Sequence, residues 1–230
     1  MPIESLSIDE HAEDRNARGK RILAGLRKLY PDADCALIHD NALQLLLATI
    51  LSAQSTDENV NKVIPVLFTT YSDAQAIADA PLDKLEEIVR STGFFRQKAK
   101  NIRNTCRILI EKHGGEVPAD MAALIELPGV ARKTANVVLG TWFGRNVGVV
   151  VDTHVGRLST RLGLTWTSKD SKDAVKIEQD LMEVMPKRSW TYLSHALIQH
   201  GRAVCQARKP QCDACKLKRY CPYPTAVDVS

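Results

Sequence analysis

Four cysteines, Cys205, Cys212, Cys215 and Cys221, follow the spacing Cys-x6-Cys-x2-Cys-x5-Cys, with Pro222 directly after the last. Thiolates are soft ligands that suit iron–sulfur clusters or zinc. Structural zinc is usually held by two short-spaced Cys/His pairs. Only one x2 pair exists here, flanked by unequal loops. A cubane [4Fe-4S] cluster spreads its four corners and accommodates that spacing better than one compact ion; zinc and unliganded thiols stay as alternatives. The six histidines show no metal-ligand spacing. Cys106 shares a helical face with Ile102, Leu109 and Ile110 and is expected in the core, whereas Cys35 has no assignable role.

A second constellation is Leu127-Pro128-Gly129-Val130-Ala131-Arg132-Lys133-Thr134-Ala135-Asn136, followed by an apolar helix. Pro-Gly predicts a tight turn between two helices. The first N–H groups of the second helix lack intrahelical partners and point outward, where they can bind a phosphate oxygen. Such a hairpin grips a nucleic-acid backbone without reading its sequence. Lys133 falls in that first turn, next to Arg132. The helix dipole and the neighbouring guanidinium both disfavour an ammonium there, as an amine nucleophile forming a Schiff base requires. The bland alternative is a solvated lysine. Asp152, in Val150-Val151-Asp152-Thr153-His154, precedes a helix that it can cap. The cap is compatible with a catalytic carboxylate, since it would hold the side chain rigid. His154 is expected to be structural.

The elements that must position these groups are helical. Leu43, Leu46, Leu47, Ile50 and Leu51 follow one helical face. Ser55 with Glu58 predicts a capping box for the next helix, and Pro65 a kink inside it. Further helices fit at about 17–29, 82–90, 96–112, 120–126, 131–142, 153–162, 172–184 and 189–204. Only 147–151 reads as extended. The fold class is all-α, and residues 1–16, polar and acidic, are expected to be disordered.

Composition narrows the classes. In 230 residues, 44% apolar and 25% charged, the chain is an average globular protein, not a collagen, a coiled coil or a disordered chain. No stretch approaches the roughly 20 apolar residues of a membrane span, and the start lacks a signal-peptide pattern. The expectation is a soluble, cytoplasmic monomer with no membrane contact, nucleoid-associated in a bacterium. The net charge of +4 conceals an asymmetry: residues 1–16 hold five acids and one arginine, while 201–221 hold six Lys/Arg against Asp213. An acidic tail before a basic body suits a nucleic-acid binder, with plain surface charge as the alternative.

The hairpin Leu127–Asn136, Val151-Asp152-Thr153-His154 and the four-cysteine motif occur in the order of the endonuclease III family of DNA glycosylases, which this chain resembles from about residue 20 to Tyr223. Leu51-Ser52-Ala53-Gln54-Ser55-Thr56-Asp57 and Thr92-Gly93-Phe94-Phe95 add to the resemblance. It implies a two-lobed helix-hairpin-helix glycosylase fold. A six-helix barrel at 36–146 would carry the hairpin (about 120–142), and 1–35 with 147–230 would form a [4Fe-4S] lobe, with DNA in the cleft between. It also implies excision of oxidised pyrimidines from duplex DNA and strand cleavage at the abasic site. Lys133 matches the family's nucleophile and Asp152 its carboxylate.

A base inside a duplex must be flipped out to react, at a cost of a few kcal/mol. The resemblance makes Gln54 the residue that fills the gap. Phe94 falls where an aliphatic wedge is common, with ordinary core as the alternative. Gly129, Ala131 and Arg132 would grip phosphates at the hairpin. The cluster would brace Gln206–Gln211 so that Arg208 and Lys209 meet phosphates.

Two departures from the family pattern stand out. Ala131 replaces the second Gly of Gly-Val-Gly, which is costly at positive φ but favourable as a first helical residue, the reading preferred here. The stretch Gly144–Gly148 is about one residue longer than in some relatives. Two rivals remain. The adenine-excising relative lacks the lysine at 133 and carries a further C-terminal domain, and a non-catalytic iron–sulfur DNA-binding module would need neither Lys133 nor Asp152.

Overall fold

The computed structural model describes residues 12–168 and 170–223. It is helical throughout, and no strand occurs among the described residues. The chain divides into two compact units, one of Met1–Asp34 with Asn146–Ser230 and the other Cys35–Arg145.

Helix α1 (Ala12–Leu29) opens the first unit. It starts five residues before the expected position, so 12–16 are helical rather than disordered, and residues 1–11 lie outside the described residues. Glu13 and Asp14 in the first turn and Arg27 and Lys28 in the last complement the helix dipole, which explains how so polar a start stays helical.

The second unit contains α2 (Ala42–Leu51), α3 (Asp57–Thr70), α4 (Ala74–Asp79), α5 (Leu82–Val89), α6 (Phe95–His113), α7 (Met121–Ile125) and α8 (Arg132–Thr141). Its core gathers Leu45, Leu46, Ile64, Leu67, Ile77, Leu85, Ile102 and Leu109 around α2, all buried. Cys106 belongs to this core, and burial pushes its thiol up to about 12. Cys35 packs, half-buried, against the same cluster. Asn41, Thr56, Asp73 and Asp120 cap α2, α3, α4 and α7 by accepting backbone N–H bonds. The cap of α3 corrects the expected box: Thr56, not Ser55, accepts from the Asn59 N–H at 3.2 Å. Glu58 instead pairs with Lys62. The helix continues through Pro65. Helix α4 escaped the sequence reading because six residues hold too little periodicity.

The first unit resumes with a non-helical stretch across 147–151 that bends at Gly148, then α9 (Thr153–Arg161), α10 (Ala174–Val184) and α11 (Trp190–Ala203). Ile22, Leu26, Val155, Leu158, Ile177, Leu181, Leu193 and Leu197 form its core. The buried Asp180 carboxylate accepts from Thr165 Oγ1 and from the Trp166 and Thr167 amides, fixing the loop before α10.

Candidate functional site

In the second unit the hairpin forms as the sequence requires. The Val130 N–H donates to Leu127 O at 3.1 Å, closing a turn with Pro128 and Gly129 at its centre. Gly129 has φ +80°, which suits the second central position of a type II turn. A Cβ there would also meet Asn101 Nδ2 at 2.7 Å, so any other residue would be strained at this φ and would displace the Asn101 side chain of α6. Thr105 on α6 donates its hydroxyl proton to Pro128 O at 3.1 Å and anchors the turn.

Ala131 is the N-cap of α8, extended at φ −90° and ψ 170°. The positive-φ penalty therefore does not arise, although the residue precedes the helix instead of opening it. Its methyl group cannot accept a bond, so the N-cap residue itself offers no side-chain cap to the first turn. Gly129, Ala131, Arg132 and Lys133 are all exposed.

Gln54 and Phe94 share an unusual backbone state. The non-glycine residues with positive φ among those described are Gln54 (54°), Phe94 (47°) and Lys209 (54°), all three of them expected DNA contacts. A left-handed conformation is costly for residues with a Cβ and tends to persist where function requires it. Phe94 is 68% exposed, which removes the core alternative. Lys98 and Asn59, which the sequence reading passed over, hydrogen-bond to both the 51–55 loop and the loop before Phe94.

In the first unit, Asp152 is the N-cap of α9. Its Oδ1 accepts from the His154 and Val155 amides at 2.9 and 2.8 Å, leaving Oδ2 outside the cap. One helical turn further, Arg157 donates to Cys205 O and Gly201 O, and its NH2 lies 3.2 Å from His154 Nδ1. Another turn on, the buried Arg161 donates to Gln206 O at 2.7 Å, to Ala207 O at 3.0 Å and to Cys205 Sγ at 3.3 Å. The loop bearing the exposed Arg208 and Lys209 thus hangs on two arginines of α9, neither singled out from sequence. Their i, i+4 spacing was the available signal.

The four cysteines are free, half-buried and gathered around one partly open cavity, which Leu158, Leu162 and His200 also line. His200 Nε2 lies 3.4 Å from Cys215 Sγ, and its Nδ1 lies 3.0 Å from the Tyr30 hydroxyl. Burial pushes the Cys221 thiol up to about 11 and raises Cys215 as well, so a bound metal would have to displace their protons. Among the described residues no three His, Cys, Asp or Glu side chains form a set arranged for a single metal ion. The donor set and the shared cavity fit a sulfur-ligated group. No described helix is long and apolar enough to cross a membrane. Lys133 belongs to one unit and Asp152 to the other.

Residues 47–187 match the model of the HhH-GPD superfamily base excision DNA repair proteins. The chain is 54% identical over 208 residues to endonuclease III of Synechocystis sp., covering 90% of this chain and 93% of that protein. It is 44% identical over 207 residues to endonuclease III of Haemophilus influenzae, covering 90% and 96%. Among solved structures, a trapped endonuclease III–DNA covalent intermediate with an estranged adenine superposes with a TM-score of 0.85 at 41% identity, covering 93% of this chain and 98% of that one. Likeness of this extent in both sequence and fold is common descent, and the chain belongs to the endonuclease III family of the HhH-GPD superfamily.

Proposed function

We propose that this protein is a bifunctional DNA glycosylase and AP lyase of base excision repair, acting in the cytoplasm on duplex DNA that carries oxidised pyrimidines or abasic sites. The observation that carries the reading is Lys133, an exposed amine in the first turn of a helix that leaves a phosphate-gripping hairpin. Neither a backbone binder nor a monofunctional glycosylase needs an amine there.

The hairpin residues Gly129, Ala131 and Arg132 hold a phosphate and Arg208 and Lys209 hold others. Gln54 and Phe94 occupy the space left by the flipped nucleotide, the amide facing the orphaned base and the ring stacking in the duplex. Lys133 Nζ attacks C1′ of that nucleotide, the C1′–N bond breaks, and the base leaves with the bonding pair and is protonated. Asp152 stabilises the positive charge developing on the sugar and assists proton removal from the lysine nitrogen. The C1′–O4′ bond then breaks as O4′ takes a proton, opening the sugar, and the iminium so formed acidifies the C2′ proton. Its loss expels the 3′ phosphate by β-elimination, and hydrolysis of the imine frees the lysine. That a related endonuclease III is trapped covalently on DNA supports the attack step.

Cys205, Cys212, Cys215 and Cys221 would hold a [4Fe-4S] cluster. When bound, the cluster supplies a crosslink among the four thiolates that stiffens the 206–211 loop. Arg161 holds the same loop through the Gln206 and Ala207 carbonyls, and Arg157 bonds the Cys205 carbonyl just before it.

Lys133→Gln tests the reading. The variant is expected to bind duplex DNA about as tightly as the wild type and to lose both base release and strand cleavage. Unchanged turnover by the variant would contradict it.

A further inference from the structure

One face of α6 carries an unusual set of residues. Lys98, Asn101 and Thr105 follow Phe94, the N-cap, at intervals of four, three and four, so all four line up along the helix. Asn101 and Thr105 lie against the hairpin turn. Lys98 is 5% exposed, and its Nζ donates to Leu51 O at 2.8 Å and to Thr92 O at 2.6 Å.

Leu51 ends α2 and Thr92 ends the short 3-10 helix Arg90–Thr92. These terminal carbonyls lack helical partners, and a cation is favoured beside them. Three residues beyond Leu51 stands Gln54, and two beyond Thr92 stands Phe94, both left-handed and exposed. Asn59 adds a second tie, donating from Nδ2 to Ser55 Oγ at 3.1 Å and to Ser91 O at 2.8 Å. The two loops are therefore crosslinked twice, once through the core and once near the surface.

We propose that Lys98 is a positioning residue for nucleotide flipping, its buried ammonium tying the Gln54 loop to the Phe94 loop so that both side chains enter the duplex as one rigid body. This rests on the reading of Gln54 and Phe94 as the gap-filling pair. Burying an ammonium is an expensive route to stability alone, because desolvation offsets most of what its bonds return. Both acceptors of Lys98 are neutral carbonyls, and burial holds its pKa below the usual lysine range. What the ammonium provides and an apolar side chain would not is a directional bond to each of two loops.

The test uses the full-length, cluster-loaded protein and a duplex with a tetrahydrofuran abasic analogue opposite 2-aminopurine, whose fluorescence reports unstacking of the orphaned base. Wild type should change that fluorescence on binding. Lys98→Met should bind with similar affinity through the unaltered hairpin but give a much smaller change. Its single-turnover excision of thymine glycol should fall by on the order of tenfold to a hundredfold. Ile102→Val, a core substitution on the same helix, supplies the purely structural comparison: it should lower the melting temperature and leave the fluorescence intact.

A Lys98→Met protein with the wild-type fluorescence change and rate, or with losses no greater than those of Ile102→Val, overturns the proposal. If Lys98→Met does not fold, Asn59→Leu carries the same measurement and the same two outcomes. If wild type itself gives no change, the gap-filling reading fails and the proposal falls with it.

Discussion

At Asp152 the helix cap and the proposed chemistry share one carboxylate, and they can be separated. Asn caps a helix about as well as Asp, whereas Ala does not. Asp152→Asn should keep the bonds to the His154 and Val155 amides, hold stability within about 0.5 kcal/mol and still lose most of its glycosylase turnover. Asp152→Ala should lose turnover and in addition destabilise by about 0.5–2 kcal/mol. Denaturant unfolding beside single-turnover kinetics reads both; full activity in the Asn variant would leave the carboxylate with the cap alone.

The Pro-Gly turn before Lys133, the helix cap at Asp152 and the grouping of the four cysteines were legible in the sequence because residue type and spacing mark them. The left-handed backbones at Gln54, Phe94 and Lys209 were not, since none is a glycine and nothing local marks them. Lys98 was equally hidden, because a lysine in a helical stretch reads as a solvated one until its burial is known.

Two helices do most of the positioning. Helix α6 presents Phe94 at its start and then Lys98, Asn101 and Thr105 to two loops and the hairpin. Helix α9 begins on Asp152 and uses Arg157 to hold the Cys205 carbonyl and Arg161 to hold the loop after it. Apolar periodicity located both helices from sequence to within one residue at each end, yet it did not tell which polar face of each would be functional. Polar side chains that bond to distant carbonyls leave no local pattern.

The N-terminus of α8 is a device of the same scale. Ala131 leaves its first turn without a side-chain cap, which suits a phosphate grip and costs stability. Ala131→Ser should raise unfolding stability by roughly 0.5–2 kcal/mol while weakening duplex binding, because the new hydroxyl competes with phosphate for the same donors. Tighter DNA binding by the more stable variant would contradict the hairpin's assigned role.

For the molecule as a whole, acid should be the weak point of the unit that holds the cysteines. His195 in α11 is largely buried, and burial lowers its pKa despite opposing pulls from Asp34 and Asp152. Below its ordinary value of about 6.5 the unfolded chain takes up a proton that the folded chain refuses. Stability should therefore fall as pH drops from about 7 to about 5. In His195→Gln the slope of melting temperature against pH should flatten over that range; an unchanged slope would assign the acid sensitivity to other groups.

As the proposed nucleophile, Lys133 becomes covalently joined to the sugar of an excised base. Borohydride reduction during incubation with a duplex carrying a single thymine glycol tests it most directly, because an intact lesion must lose its base before any imine can form. A covalent protein–DNA band is expected with the wild type and none with Lys133→Gln. A cluster-loaded wild-type protein that binds and processes the duplex yet gives no band, or a Lys133→Gln variant that still gives one, would contradict it.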